Sequence, residues 1–521
     1  MFENEYTWGS AITENTIDEF HKKFDKAIID VKNEFGKKFP TIINGKEMFS
    51  ENCFSVRSPA DKRIIIAQFP KSTEQDTIDA INSASNAFDE WSNIPYQERV
   101  KIFRDCADNF SNQKFRLAAI LTFENGKNRL EAMGDIDEAI DFMRFYSYLL
   151  EKNEGFCKTT PHPNSLEKTQ VVMKPYGVWG IISPFNFPSA IAIGMTVGAL
   201  LTGNTVILKP ASDTPLSAYE FVKIVHQKLP AGTINFVTGS GSIVGQTIIK
   251  NPNVDGIAFT GSKEVGISGF KFFTKNSVKP FISEMGGKNP VIVTKFANLE
   301  NAAEGVVKAA FGYGGQKCSA CSRTYVQNNV FDEFIAKLLE KTKSLKIGLP
   351  WEKDVFLGPV INEESKKKFE DAVNLAKQDG RILFGGTTLE NSEYENGCFV
   401  TPTIVTDLPK DHKLIKDELF LPFLCIEKYD EFDDALILAN NTEYGLTAGI
   451  FSENKEQLKE FFNKIQAGVV YANRKASATT AALVSSQPFV GWKNSGTTGK
   501  GAGGENYLQQ FMRTQTQTRC D

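Results

Sequence analysis

With 521 residues the chain exceeds the size at which one hydrophobic core keeps growing, so two or more domains with substantial cores are expected. Its 41% hydrophobic and 23% charged residues describe a soluble globular chain. Its 59 basic and 63 acidic residues leave a formal charge of −4 with no long basic run, which argues against nucleic acid or a membrane surface as partner.

The first residues, Met1 to Tyr6, lack the basic and apolar regions of a signal peptide, and the expected location is cytoplasmic. Residues 12 to 36 carry Ile17, Phe20, Phe24, Ile28 and Val31 at helical spacing and predict one outer helix packed on the body. Thr41-Ile42-Ile43-Asn44-Gly45 reads as a short strand ending in an Asn-Gly turn. From Glu74 to Leu150 the pattern is mostly helical, with Ile78, Ile81, Ala84 and Phe88 on one face, and reads as scaffold. The most apolar window, Ile181 to Leu201, is broken by Pro184, Asn186 and Pro188, so it predicts a strand, a loop and a helix in place of a membrane span.

Beyond residue 170, apolar strands alternate with helices: Gly177 to Ser183, Thr205 to Lys209, Thr233 to Val237 and Gly256 to Thr260. Such alternation implies a parallel sheet with helices on both faces, the usual setting for a dinucleotide. A second alternating region runs from Pro290 through Tyr471, placing Glu284 to Lys288 near the junction of two α/β units. The Thr-rich tail, Phe511 to Arg519, alternates like an exposed strand that needs an edge to pair with, and a neighbouring subunit is one such edge.

Cys318 lies just after the glycine-dense Gly312-Tyr313-Gly314-Gly315. There a thiol and its own backbone N–H can face one cavity, the geometry needed to attack a carbonyl and hold the oxyanion that forms. Cys321 follows three residues later, is expected on the next helix, and reads as packing. The eight cysteines are otherwise scattered, as in a reducing compartment. The four histidines show no metal-ligand spacing with them, so no metal is expected.

The ordered set Pro184-Phe185-Asn186-Phe187-Pro188, Leu208-Lys209-Pro210, Phe259-Thr260-Gly261-Ser262, Glu284-Met285-Gly286-Gly287-Lys288, the Cys318 stretch, Glu418-Leu419-Phe420 and Pro488-Phe489-Val490-Gly491 closely resembles the aldehyde dehydrogenase superfamily from about residue 40 onward. The resemblance implies an α/β fold of that type, with two Rossmann-like parallel-sheet domains and a small β oligomerisation element. On that fold residues 1–156 and 175–285 would bind the dinucleotide, 286–490 would form the catalytic domain, and 157–174 with 491–521 would form the oligomerisation element of a homo-oligomer, a dimer or a dimer of dimers.

It also implies roles. Cys318 is the nucleophile, Asn186 the oxyanion amide, and Glu284 the base that hydrolyses a thioester. Members that pass the acyl group to coenzyme A typically lack such a carboxylate, so hydrolysis is favoured. For the cofactor, NADP or NAD, the resemblance points to Ser183, Pro184, Phe185, Lys209, Ser212, Phe259, Gly261, Ser262, Gly266, Glu418 and Phe420. Ser212 stands where strictly NAD-dependent members often carry a glutamate, and the missing charge removes the repulsion a 2′-phosphate would meet. Gly239-Ser240-Gly241, a lone glycine-rich loop, carries little weight.

Within the superfamily, Gly315 to Ala320, Ser495-Gly496-Thr497 and Gly501 to Gly504 resemble the 1-pyrroline-5-carboxylate (L-glutamate γ-semialdehyde) dehydrogenases. That resemblance makes Ser319 and the backbone of Thr480, Ala481 and Ala482 the expected anchors for a substrate carboxylate. The chain departs from the pattern in three respects. Residues 475 to 487 are about three residues longer than usual, alanine stands where a glycine is usual, and Glu418-Leu419-Phe420-Leu421-Pro422 has leucine in place of glycine. Other readings are a dehydrogenase of another small aldehyde, such as α-ketoglutarate semialdehyde or glyceraldehyde, a catalytically silent nicotinamide-binding structural protein, and a cofactor-free thiol hydrolase.

Overall fold

The computed structural model describes residues 6–161, 166–474 and 483–520. Two seven-stranded sheets dominate it. In the first, the order is Phe281–Glu284, Gly256–Thr260, Val178–Ile182, Thr205–Lys209, Ile234–Phe236, Thr41–Ile43, Lys46–Met48. The first five strands are parallel and the last two form the antiparallel hairpin with its Asn44-Gly45 turn. Thr205–Lys209 is buried along its whole length, as expected of a strand covered on both faces. The chain steps from Val178–Ile182 outward to one side and then returns to Gly256–Thr260 on the other. The crevice outside Ile182 and Thr260 is therefore the topological switch point where such sheets bind ligands.

The second sheet has the order Arg381–Phe384, Thr403–Thr406, Phe423–Tyr429, Cys321–Gln327, Asn289–Val293, Thr447–Phe451, Val469–Ala472, parallel except for its first strand. Only Met285-Gly286-Gly287-Lys288 separates the edge strand Phe281–Glu284 of the first sheet from the inner strand Asn289–Val293 of the second. The first sheet thus points its carboxyl ends, and the second its amino ends, at one seam.

The N-terminal pattern forms the expected helix, Ile17–Lys32, with Phe20, Phe24, Ile28 and Val31 buried; a short helix, Tyr6–Thr13, precedes it, and between the two Asn15 takes a left-handed conformation (φ 57°). One expectation changes. Cys321 opens a strand and not a helix. Its neighbours Thr324, Tyr325 and Val326 are β-branched or aromatic, and the strand lies against Asn289–Val293 in the sheet. The tail strand Met512–Cys520 finds its edge within the same chain, pairing antiparallel with Glu167–Pro175, which also pairs Cys157–Thr160.

Asn204 joins these parts. Its Oδ1 accepts the N–H groups of Tyr176 (2.8 Å) and Gly177 (3.0 Å), and its Nδ2 donates to the Phe511 carbonyl (2.9 Å), tying the entry to the first sheet to the start of the tail strand. Asn204→Leu strands three backbone groups at about 1–3 kcal/mol each. Thermal melts should show a clearly lowered unfolding midpoint for this variant, with or without dinucleotide.

Candidate active site

The cysteine loop is built on backbone that side chains disfavour. Tyr313, Gly314 and Gly315 are left-handed in succession (φ 49°, 63° and 65°), and a Cβ on Gly315 would collide with the Leu421 carbonyl. Gln316, fully buried, accepts the Ile361 N–H at 2.8 Å and holds the turn. Asn289, at the start of the strand Asn289–Val293, donates from Nδ2 to the carbonyls of Cys318 (2.7 Å) and Ala320 (2.9 Å) and accepts the Thr447 N–H (2.9 Å). The sulfur-bearing turn therefore hangs from the amino edge of the second sheet.

Asn186 reaches the same loop from the first sheet. Its Nδ2 donates to the Gln316 carbonyl at 3.1 Å and its Oδ1 accepts the Phe187 N–H at 3.1 Å, leaving one amide hydrogen beside the cysteine turn. Glu284 ends the last strand of that sheet. A buried cavity is lined by Cys318, Ser319 and Glu284 together with Phe187, Phe489 and Glu138. Burial pushes the Glu284 carboxyl well above the usual range, opposed by the Gly491 backbone N–H, and its Oε2 has no partner among the described residues. The half-buried Cys318 thiol is pushed up by burial and then by the charges of Glu418 and Glu284, with backbone N–H groups of Ser319 and Cys318 opposing.

The link between the sheets explains its own glycines. The Glu418 carboxylate lies where a Gly286 Cβ would stand and accepts the Gly287 N–H at 2.8 Å, while the Cys318 carbonyl occupies the Cβ position of Gly287. Burial lifts Glu418 to about 7. Ser495 Oγ donates to the Gly286 carbonyl (2.7 Å), and Thr497 pairs with Ser283 (2.9 and 3.1 Å), so the Ser495-Gly496-Thr497 motif splints this link from outside.

Along the switch-point crevice, Lys209 is buried and donates to the Pro210 carbonyl at 2.8 Å; burial lowers its ammonium to about 8, opposed by Asp213. The buried Ser183 hydroxyl has no partner among the described residues. Pro184 and Phe185 follow, and the Phe185 ring meets Phe420 edge-on at 5.7 Å. Phe420 is itself left-handed (φ 62°), an unusual conformation for a bulky residue, and Leu421 behind it is buried in the core beneath the helix Glu363–Asp379. The leucine that departs from the family pattern thus fills core space. Phe259 is buried under the turn Gly261-Ser262, Ser262 caps the helix Lys263–Phe273, and a Gly266 Cβ would meet Met285, so this helix packs closely on the sheet. Under-used donors at Lys209 and Ser183, a helix start and a gripped carboxylate at Glu418 suit a dinucleotide with its two riboses and pyrophosphate.

Ser212 Oγ donates to the Gly239 carbonyl at 3.0 Å, which gives the discounted Gly239-Ser240-Gly241 loop a place at the coenzyme crevice. The other missed contributor is the helix Arg129–Lys152, read as scaffold. It supplies Glu138, Phe142 and Tyr146 to the cavity wall, and burial, then Asp135, pushes Glu138 well above the carboxylate range. The sequence offered only the spacing of Glu131, Asp135 and Glu138 on one helical face, which does not say whether that face is buried. Thr480, Ala481 and Ala482 lie outside the described residues.

The model of the aldehyde dehydrogenase family matches residues 47–517. The chain belongs to the aldehyde dehydrogenase family. It is 36% identical over 512 residues to a 1-pyrroline-5-carboxylate dehydrogenase of Oceanobacillus iheyensis, covering 97% of this chain and 98% of that one. Among solved structures it resembles the 1-pyrroline-5-carboxylate dehydrogenase from Thermus with bound NAD, with a TM-score of 0.91, 32% identity, and coverage of 96% of this chain and 97% of that one. It also resembles betaine aldehyde dehydrogenase of Staphylococcus aureus in complex with NAD+, with a TM-score of 0.89, 28% identity, and coverage of 96% and 97%. The family is thus that of NAD-dependent aldehyde dehydrogenases, and no helix among the described residues is long and apolar enough to cross a membrane.

Two predictions follow from the burial of the seam. Gly287→Ala must push the Cys318 carbonyl aside. A shift of about 1 Å at the nucleophile is worth roughly a hundredfold in kcat, measurable as aldehyde-dependent NADH formation. Because the folded-state pKa of Glu284 is raised, its unfolded state ionises first. Its contribution to stability is complete below about pH 4.5 and is lost as pH rises through the folded pKa. Glu284→Gln does not titrate, so its melting midpoint should gain on the parent protein as pH increases from about 5 to 8.

Proposed function

We propose that this chain oxidises L-glutamate γ-semialdehyde, the open form of 1-pyrroline-5-carboxylate, to L-glutamate. The reading is carried by one cavity that brings the Cys318 sulfur, Ser319, the Glu284 carboxylate and a second buried carboxylate, Glu138, around one small volume with aromatic walls. A semialdehyde carrying an ammonium and a carboxylate matches it: Glu138 for the ammonium, Ser319 for the carboxylate, and Phe187 and Phe489 for the methylenes.

In this mechanism the Cys318 thiolate attacks the aldehyde carbon. The remaining Asn186 amide hydrogen and the Cys318 backbone N–H hold the oxygen that becomes negative. NAD, held by Lys209, Ser183, the Gly261-Ser262 turn and Glu418, supplies the hydride acceptor when bound. Glu284, with its raised affinity for protons, takes one from the water that hydrolyses the Cys318 thioester, and the acid leaves. Ser212 is exposed and uncharged, so NADP should also be accepted. We assign Met512–Cys520 with Glu167–Pro175 to a homo-oligomer contact, because the outer edge of the tail strand has no further strand to pair with among the described residues.

Rates on 1-pyrroline-5-carboxylate, α-ketoglutarate semialdehyde and glyceraldehyde, each with NAD and NADP, test the assignment. The expected order puts 1-pyrroline-5-carboxylate first by kcat/KM. Glu138→Gln should cost about 10–100-fold on that substrate and little on α-ketoglutarate semialdehyde, which has no ammonium. Equal losses on both would remove Glu138 from recognition, and a Cys318→Ala variant that still reduces NAD would refute the mechanism.

A further inference from the structure

The helix Arg129–Lys152 carries Glu131, Asp135 and Glu138 at i, i+4 and i+7, on one face. Each engages a different part of the site. Glu131 pairs with Lys317, next to the nucleophile, at 2.7 Å, and Glu138 lines the cavity. Asp135 does something else. Its Oδ2 accepts from Lys127 Nζ at 2.9 Å in an ion pair whose two side chains are both fully buried. Its Oδ1 accepts the Ala190 N–H at 2.7 Å.

Ala190 begins the helix Ala190–Leu201, whose own N-cap residue, Ser189, makes no side-chain cap bond. The Asp135 carboxylate takes that place from another helix and sets a negative charge at a helix N-terminus. Lys127 completes the arrangement. Its ammonium sits 3.6 Å from the centre of the Phe187 ring and 5.1 Å from that of Tyr313, the left-handed residue that opens the cysteine turn. The Tyr313 hydroxyl donates to the Asn125 carbonyl at 2.8 Å, two residues before Lys127. One pair therefore grips the residue after Asn186, the helix start four residues after it, and the turn that leads to Cys318.

An ion pair stripped of all water is a poor way to gain stability, since well-packed apolar residues often serve as well or better. Its three contacts all lie on segments that carry reacting groups. We infer that Lys127 and Asp135 form a positioning pair that holds the Asn186 amide in register with the Cys318 turn. The inference rests on Asn186 being the oxyanion donor.

The test is a double-mutant cycle on the full chain with its coenzyme. Lys127→Met/Asp135→Leu replaces the pair by apolar side chains without leaving a lone buried charge, and Asp135→Asn keeps an oxygen for the Ala190 N–H. The expected result for the apolar pair is a kcat lowered about 10–100-fold with NAD affinity unchanged, and a smaller loss for Asp135→Asn. Asn186→Ala should lose about a hundredfold or more, and adding the apolar pair to it should cost little further, because both act through one amide. A folded apolar-pair variant with parental kcat, or losses that multiply in the combined variant, would overturn the inference. An Asn186→Ala enzyme with parental kcat would instead sink the oxyanion assignment itself, and the pair's role with it.

Discussion

Two adjacent glycines carry the heaviest constraint in this molecule. Met285 to Lys288 is the covalent link between the edge strand Phe281–Glu284 of one sheet and the inner strand Asn289–Val293 of the other. From one side the Glu418 carboxylate, and from the other the Cys318 carbonyl, press into the space a Cβ would fill at Gly286 and Gly287. That double approach sets a coenzyme-side carboxylate and the nucleophile's backbone against the same short link. Glu284, immediately before it, is placed relative to both. The Ser495–Thr497 segment clamps the link from outside, both by backbone pairing and through the Ser495 and Thr497 hydroxyls.

Burial then decides the chemistry. Glu284, Glu418 and Glu138 all have carboxyls raised by desolvation, and the Cys318 thiol is raised by the same effect and by two of those carboxylates. A dry site with several proton-holding carboxyls favours groups that gain charge only as the reaction requires it. Oriented N–H donors there have little competition from water. The same burial makes the seam sensitive to small displacements, since a misplaced dipole in a low dielectric is not corrected by solvent.

Leu421 departs from the family pattern where packing can absorb it. Leu421 goes into the core, while its carbonyl keeps the approach that Gly315 permits. Cys321, on a strand with its Sγ toward the Arg323 carbonyl (3.5 Å) and the Thr324 hydroxyl (3.6 Å), is a core residue one turn of chain from the nucleophile. The tail strand satisfies one of its edges inside its own chain, by pairing with Glu167–Pro175.

Much of this was legible in the order of residues. Apolar runs with period-two or buried character located the strands Thr205–Lys209 and Gly256–Thr260, the glycine-dense turn singled out Cys318, and the resemblance to the aldehyde dehydrogenases pointed to Asn186 and Glu284 beside it. What the sequence could not reveal was which distant side chains turn inward. Glu138 and Asp135 read as ordinary charges on a scaffold helix, and Gly239 as a lone loop. Their importance comes from the packing of the helix Arg129–Lys152 against Ala190–Leu201 and from the seam between two sheets. Periodicity along a chain records the face a residue occupies, whereas tertiary contact alone decides what that face meets and how much water is left there.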